Sequence, residues 1–407
     1  MKKIDSKKIN SKKLKTIYFD NGATTPVRKE VLNVSLPFFL KDYANPSSFH
    51  STGLKAKKAL DESRKKIAQI LNCEKDEIIF TGSGTESINL AIKGIAFNEL
   101  INSIKDNRKI NGHFITQKTE HDAVLATMKW LEKLGFEITY LGVDKYGLIN
   151  LKDLKKSIKS NTLLVSIMYA NNEIGTIQDL PAISRICKEK KVLFHTDACQ
   201  GGEYLLLDVK KLGVDLMTLN GSKIYSFKGT GLLYKNKNIK IEPLIHGGGQ
   251  EFNLRSGTEN IAGIVALVKA LEIAEKEKII ESKRLTKLRN YFIKKVEKEI
   301  PKTKLNGSIE NRLPNNINFS FYGIEGESLL LLLNEAGINV STGSACSSKS
   351  LEASHVLMAI GLTHELSHSS IRFSLGYKST KKEIDYVINT LKESVKKLRL
   401  MSPLWEE

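Results

Sequence analysis

Residues 191–202, KVLFHTDACQGG, and residues 215–234, DLMTLNGSKIYSFKGTGLLY, decide how this chain reads. In the first, an apolar run (Val192, Leu193, Phe194) ends in His195, Asp197 and Gln200. In the second, a similar run ends in Lys223, inside a Gly-containing turn. Short apolar runs bounded by turn residues read as buried strands. In open α/β sheets ligands lie outside the carboxyl ends of parallel strands, so both sets of side chains are expected at one crevice. A buried acid and a buried amine meeting there have two readings. One is a structural ion pair. The other is a pyridoxal phosphate site, with the Lys amine in a Schiff base and the carboxylate keeping the pyridine nitrogen protonated. This stretch alone leaves both open.

Working outward, TIYFDNGATTPV (16–27) is a brief strand and a turn whose small residues, Asn21 to Thr24, suit the wall of a site. ANPSSFHSTG (44–53) reads as a polar loop before an amphipathic helix. In DEIIFTGSGTESINLAIKG (76–94) a strand runs through Gly82 and Gly84 into a helix with Glu86 in its first turn. Such a turn leaves backbone N–H groups at the positive end of a helix dipole, which suits a phosphate. His121 ends another strand, and an apolar run ends in Asn171, Asn172 and Glu173, buried polar groups that need partners. Strands alternating with helices from about residue 75 to 235 imply a doubly wound, largely parallel sheet. Residues 261–300 read as one long helix or two, carrying the chain towards a smaller domain. The chain closes with an amphipathic helix over 381–401.

The 407 residues exceed what one core usually holds and point to two domains. The boundaries expected are 31–275 for a large cofactor-binding domain, and 1–30 with 276–407 for a small domain. No apolar stretch approaches the roughly 20 residues of a membrane span. The net charge of +18 comes partly from residues 1–15, a basic segment read as a solvated tail. The remainder is spread over helix faces with no RNA-binding motif, so direct nucleic-acid binding is not expected. The four cysteines (Cys73, Cys187, Cys199, Cys346) are far apart and lack C-x-x-C spacing. That disfavours a disulfide framework or a zinc ribbon, and no metal site is expected. Cytoplasm is the expected compartment, a mitochondrion-derived organelle the alternative.

Nine motifs occur in a fixed order: FDNGATTP, FTGSGTESINLAIKG, TEHDAV, NNEIGTIQ, HTDACQ, RSGTEN, GSACSS, SSIRFSLG and SPLWE. From about Ile17 to Trp405 the chain resembles the cysteine desulfurases of the NifS/IscS class. These are fold-type-I pyridoxal-phosphate enzymes of the class V aminotransferase family. The resemblance implies an α/β fold, with a large domain of mostly parallel sheet flanked by helices and a smaller α+β domain. It implies conversion of L-cysteine to L-alanine, with sulfur passing to an enzyme persulfide and on to iron–sulfur cluster assembly or tRNA thiolation. Lys223 would hold pyridoxal 5'-phosphate, Asp197 would pair with its ring nitrogen, and Gln200 and Asn172 would contact its polar substituents. His121 would stack on the ring and move protons. Thr85 and the backbone at Gly84 would bind the phosphate, with Thr258 of the partner subunit completing the cup in a homodimer with shared active sites. Arg372, with Asn172, would bind substrate, the planar guanidinium gripping its carboxylate. Cys346, on a small-residue loop, would be the nucleophile, acting as its thiolate. Iron–sulfur scaffold proteins or other sulfur acceptors are the implied partners.

One departure stands out. The family pattern at the Schiff-base lysine is S-G-H-K, whereas this chain has Asn220-Gly221-Ser222-Lys223. Asn220 and Ser222 can still donate hydrogen bonds to the cofactor, but weaker cofactor retention is expected. The competing readings are a selenocysteine lyase or other β-eliminating enzyme of the same fold, and a non-catalytic dimeric binding platform.

Overall fold

The computed structural model describes residues 16–343, 353–403 and 405. The basic segment 1–15 and Cys346 lie outside the described residues.

Seven strands form the main sheet, in the order Ile78–Thr81, Gly231–Lys235, Leu216–Asn220, Leu193–Asp197, Thr162–Ser166, His113–Gln117, Glu137–Leu141. Gly231–Lys235 runs antiparallel to both neighbours, and the other pairings are parallel. Ile78–Thr81 and Gly231–Lys235 are buried at every position. Helices cover both faces, so burial does not alternate and the sequence shows continuous apolar runs. Glu137–Leu141, at the sheet edge, has its first residue exposed and only its last buried.

The helix Ile261–Glu299 is a single element of 39 residues, about 58 Å long at 1.5 Å per residue. Its first third (Ile261, Ile264, Leu267, Leu271) packs in the core beneath the main sheet. Its last third (Leu285, Phe292, Val296) packs in a second core, with Phe319, Phe321 and Phe373. That second core sits on an antiparallel sheet ordered Ser370–Ser374, Asn316–Phe321, Thr303–Leu305. Ile17–Tyr18 pairs in parallel with Ile338–Asn339, and Phe19 is buried in the same core. The first described residues therefore pack in the second core.

Two expectations need correction. The loop read over 44–53 ends early: a helix starts at Ser51, with His50 accepting the Gly53 N–H at 3.2 Å. His195 does not reach the crevice. It points to the same face as Asp197 but one repeat deeper in the sheet, bonded to Ser166 Oγ at 2.9 Å and Thr218 Oγ1 at 3.1 Å. Burial pushes its pKa down to about 4, so it stays neutral.

Candidate active site

A cleft of about 790 Å³, part of it open to solvent, lies at the carboxyl ends of the parallel strands. Asp197 and Lys223 both line it. Asp197 ends its strand with 6% exposure, and its Oδ1 accepts the Cys199 N–H at 2.9 Å. The adjacent strand passes at Asn220 into a 3₁₀ turn, Gly221–Lys223. A Cβ at Gly221 would lie 2.2 Å from Thr230 Oγ1, so only glycine allows this tight turn. Asn220 Oδ1 accepts from Ser222 N at 3.0 Å and from Ser222 Oγ at 3.1 Å, which closes the turn. Lys223 Nζ donates to the carbonyls of Gly22 (3.0 Å) and Ala23 (2.5 Å), two of the small residues expected at the wall.

Gly84 and Thr85 open the 22-residue helix Gly84–Lys105 and line the cleft. An α-helix leaves its first amides without internal acceptors, so an anion-binding end faces the cavity. A Cβ at Gly84 would stand 2.8 Å from Cys199 Sγ, which is why the chain is bare there. His121 caps the helix Asp122–Lys133, its Nδ1 accepting the Ala123 N–H at 3.1 Å. The neutral ring therefore carries its proton on Nε2. Gln200 Nε2 donates to Gly22 O at 3.0 Å, and Asn172 lines the same wall.

Arg372 comes from the strand Ser370–Ser374 of the second sheet and is 1% exposed. Its Nη2 meets Asp20 Oδ1 at 2.9 Å and its Nη1 meets Asn172 O at 3.2 Å. Its Nε, buried, has no hydrogen-bond partner among the described residues. A desolvated guanidinium with a donor to spare, at the wall of a cleft, suits a ligand carboxylate.

Three other groups have perturbed acidity. Burial, and then the neighbouring Asp197, push the Cys199 thiol far up, so it packs as a small apolar group. Glu120 is 1% exposed and lines the cleft, its Oε1 accepting Met168 N–H at 2.6 Å. Burial drives its pKa well above the usual carboxylate range. Glu173, equally buried, is shifted upward for the same reason.

The structure thus brings Lys223, Asp197, His121, Gly84, Thr85, Asn172, Gln200, Asn220 and Arg372 to one cleft. Ser222 is not part of its wall; its hydroxyl is spent on Asn220. Thr258 lines a second cavity with Gly82, Thr230 and Arg255. Asn171, grouped in the sequence with the ligand-seeking amides, is satisfied internally by Thr119 O and by the N–H groups of Glu173 and Ile174. Glu120 and His355 line the cleft without having been singled out. Glu120 precedes His121 in the motif TEHDAV and was in plain view there. Nothing local marks His355.

A planar, anionic aldehyde fits this donor set. An amine and a carboxylate share one cavity, an imidazole lies at its wall, and a helix N-terminus behind a bare glycine offers its amides to an anion. Among the described residues no group of three or more His, Cys, Asp or Glu could hold a metal ion.

Comparison with known proteins agrees. The aminotransferase class-V family model matches residues 17–387. The cysteine desulfurase IscS of Dictyoglomus turgidum is 52% identical over 391 residues, covering 96% of this chain and 97% of that protein. A solved NifS-like protein superposes with a TM-score of 0.87 at 38% identity, covering 94% of this chain and all of its own. The solved complex of SspA with cysteine has a TM-score of 0.77 at 37% identity, covering 88% of this chain and 99% of SspA.

Proposed function

The chain belongs to the class-V aminotransferase family, among its cysteine desulfurases, and from that premise we propose that it converts L-cysteine to L-alanine while passing sulfur to its own Cys346. The observation that carries this reading is that Lys223, Asp197 and Arg372 line one cleft. Its fold is that of the NifS-like fold-type-I enzymes.

Enzymes of this family depend on pyridoxal phosphate, which when bound supplies an electron sink for a carbanion at the substrate Cα. Lys223 Nζ would hold the cofactor covalently and, once released, would move the proton at the substrate Cα. Asp197 would keep the ring nitrogen protonated. Gly84, Thr85 and the Asn220 amide would hold the phosphate, with Thr258 of a second copy of the chain, while Gln200 and Asn172 would meet the ring's polar substituents. His121, with its proton on Nε2, would serve the ring and the proton transfers there. Arg372 binds the substrate carboxylate and so orients the substrate Sγ. Cys346 Sγ then forms an S–S bond as the substrate Cβ–S bond breaks. The electron pair of the broken bond goes to Cβ and takes up a proton, which gives alanine and an enzyme persulfide.

A homodimer suits the exposed apolar side chains of one N-terminal stretch, Leu40 (74%), Tyr43 (72%) and Phe49 (96%). The sulfur supplies iron–sulfur cluster assembly through a scaffold protein, with tRNA-thiolation proteins as further acceptors. The compartment is the cytoplasm. The described cysteines, Cys73, Cys187 and Cys199, are free, in keeping with a reducing environment, and no described helix is long and apolar enough to cross a membrane.

The test is turnover by the purified protein with added pyridoxal phosphate. Alanine and sulfide should form from L-cysteine in equal amounts under a reducing thiol, and Cys346→Ala should stop both. Sulfide that survives Cys346→Ala, with pyruvate and ammonia formed in place of alanine, would favour simple elimination instead.

A further inference from the structure

Glu173 is 1% exposed and does more than close a strand end. Its Oε2 accepts the Ser354 hydroxyl at 2.5 Å. A Cβ built at Gly343 would lie 3.1 Å from that same Oε2 and 3.1 Å from Ser354 Cβ. Gly343 and Ser354 flank the stretch that contains Cys346, and both lie against one buried carboxyl. Ser354 Oγ in turn caps the helix His355–Ala359 by accepting Leu357 N–H at 3.2 Å. Ile174, next in sequence to Glu173, packs in a small separate core with Val356, Leu357, Ile360 and Leu362.

The backbone carbonyls of Asn172 and Glu173 are tied to the sheet that carries Arg372. Asn172 O accepts from Arg372 Nη1, and Glu173 O accepts from Asn316 Nδ2 at 3.0 Å and Asn318 Nδ2 at 3.1 Å. Asn318 pairs directly with Arg372 across the small-domain sheet. The pair Asn172–Glu173 therefore links the carboxylate-binding Arg372 to Ser354, with Gly343 close by. Misplacing a reacting group by about 1 Å can cost on the order of 100-fold in rate, so such a tie has kinetic weight.

We propose that Glu173 is a positioning residue for sulfur transfer: by accepting the Ser354 hydroxyl, close beside Gly343, it ties the described residues on either side of the Cys346 stretch to the wall that carries Arg372. This rests on the desulfurase reading above.

The test compares the wild-type holoenzyme with E173A, E173Q and S354A. Cysteine binding is read from the change in cofactor absorbance, and persulfide on Cys346 from the mass of its peptide over time. In E173A the absorbance change should need cysteine within about threefold of the wild-type concentration, while persulfide formation slows at least about tenfold. E173Q keeps an acceptor oxygen for Ser354 and should recover most of that rate. Hydrogen exchange at the Leu357 amide should quicken in E173A and S354A and stay slow in E173Q. Persulfide forming at the wild-type rate in E173A, or unchanged exchange at Leu357, would overturn the proposal. A wild-type enzyme that forms no persulfide would sink the desulfurase reading, and the exchange result would then decide the anchoring by itself.

Discussion

Arg372 Nη2 and Asp20 Oδ1 meet at 2.9 Å, joining the strand Ser370–Ser374 to the segment that follows the strand Ile17–Tyr18. Ser341 Oγ donates to the same Asp20 oxygen at 2.9 Å, so the carboxylate is itself fixed. Asp20 thereby sets the plane of the guanidinium that is to meet the substrate. Asp20→Ala should raise KM for L-cysteine by about tenfold, the order of one charge-assisted hydrogen bond, with a smaller change in kcat. Arg372→Lys should cost more, because a point charge cannot replace the planar fork. Steady-state kinetics on the two variants check both statements.

Cys199 stands half-buried in the cleft wall beside Asp197, yet desolvation and that neighbouring carboxylate push its thiol pKa far up. Cys199→Ala should keep cysteine turnover within about threefold and lower stability by about 1–2 kcal/mol through lost packing. Loss of persulfide formation in this variant would show that Cys199 takes part in sulfur transfer.

The turn at Asn220 makes a prediction about cofactor retention. Asn220 Nδ2 lies 3.4 Å from the point where a Gly84 Cβ would stand, beside the helix N-terminus, whereas the Ser222 hydroxyl is bonded to Asn220. Asn220→Ala should weaken cofactor binding by about tenfold, and Ser222→Ala by less, since it loses only a contact within the turn. Dialysis followed by titration with pyridoxal phosphate measures the difference.

Much of this was legible in the sequence. Asp197 and Lys223 could be placed together because strands buried on both faces leave uninterrupted apolar runs, and the polar residue after such a run marks the carboxyl end. His195 shows where that logic stops. Side-chain alternation puts it on the same face as Asp197, but depth along a strand cannot be read from alternation. The role of the Ser222 hydroxyl escaped for a related reason, since only the closed turn shows that Asn220 takes it up. His355 gave no local signal. It reaches the cleft because its Nε2 bonds to Glu120 O at 2.9 Å, a contact between residues far apart in the chain.

Stability should depend on pH through Glu203. Burial, partly offset by Arg28 at 3.7 Å, raises its pKa to about 8 from an ordinary 4.5. Arg28 is engaged more closely by Glu277, at 2.7 Å, which leaves Glu203 poorly compensated. The folded state thus holds a proton that the unfolded state releases above about 4.5. Stability from this group is full below that pH, declines as pH rises, and is lost once pH passes about 8. Glu203→Gln should flatten the fall in Tm across that window, as thermal unfolding at a series of pH values would show.

The central claim is that Lys223 holds the cofactor while Cys346 receives the sulfur. Mass spectrometry of peptides from the holoenzyme, reduced with borohydride after brief incubation with L-cysteine, tests both halves at once. The account predicts the cofactor on the peptide containing Lys223 and one added sulfur atom on the peptide containing Cys346. Added sulfur on Cys199, or a cofactor attached to any other lysine, would contradict it.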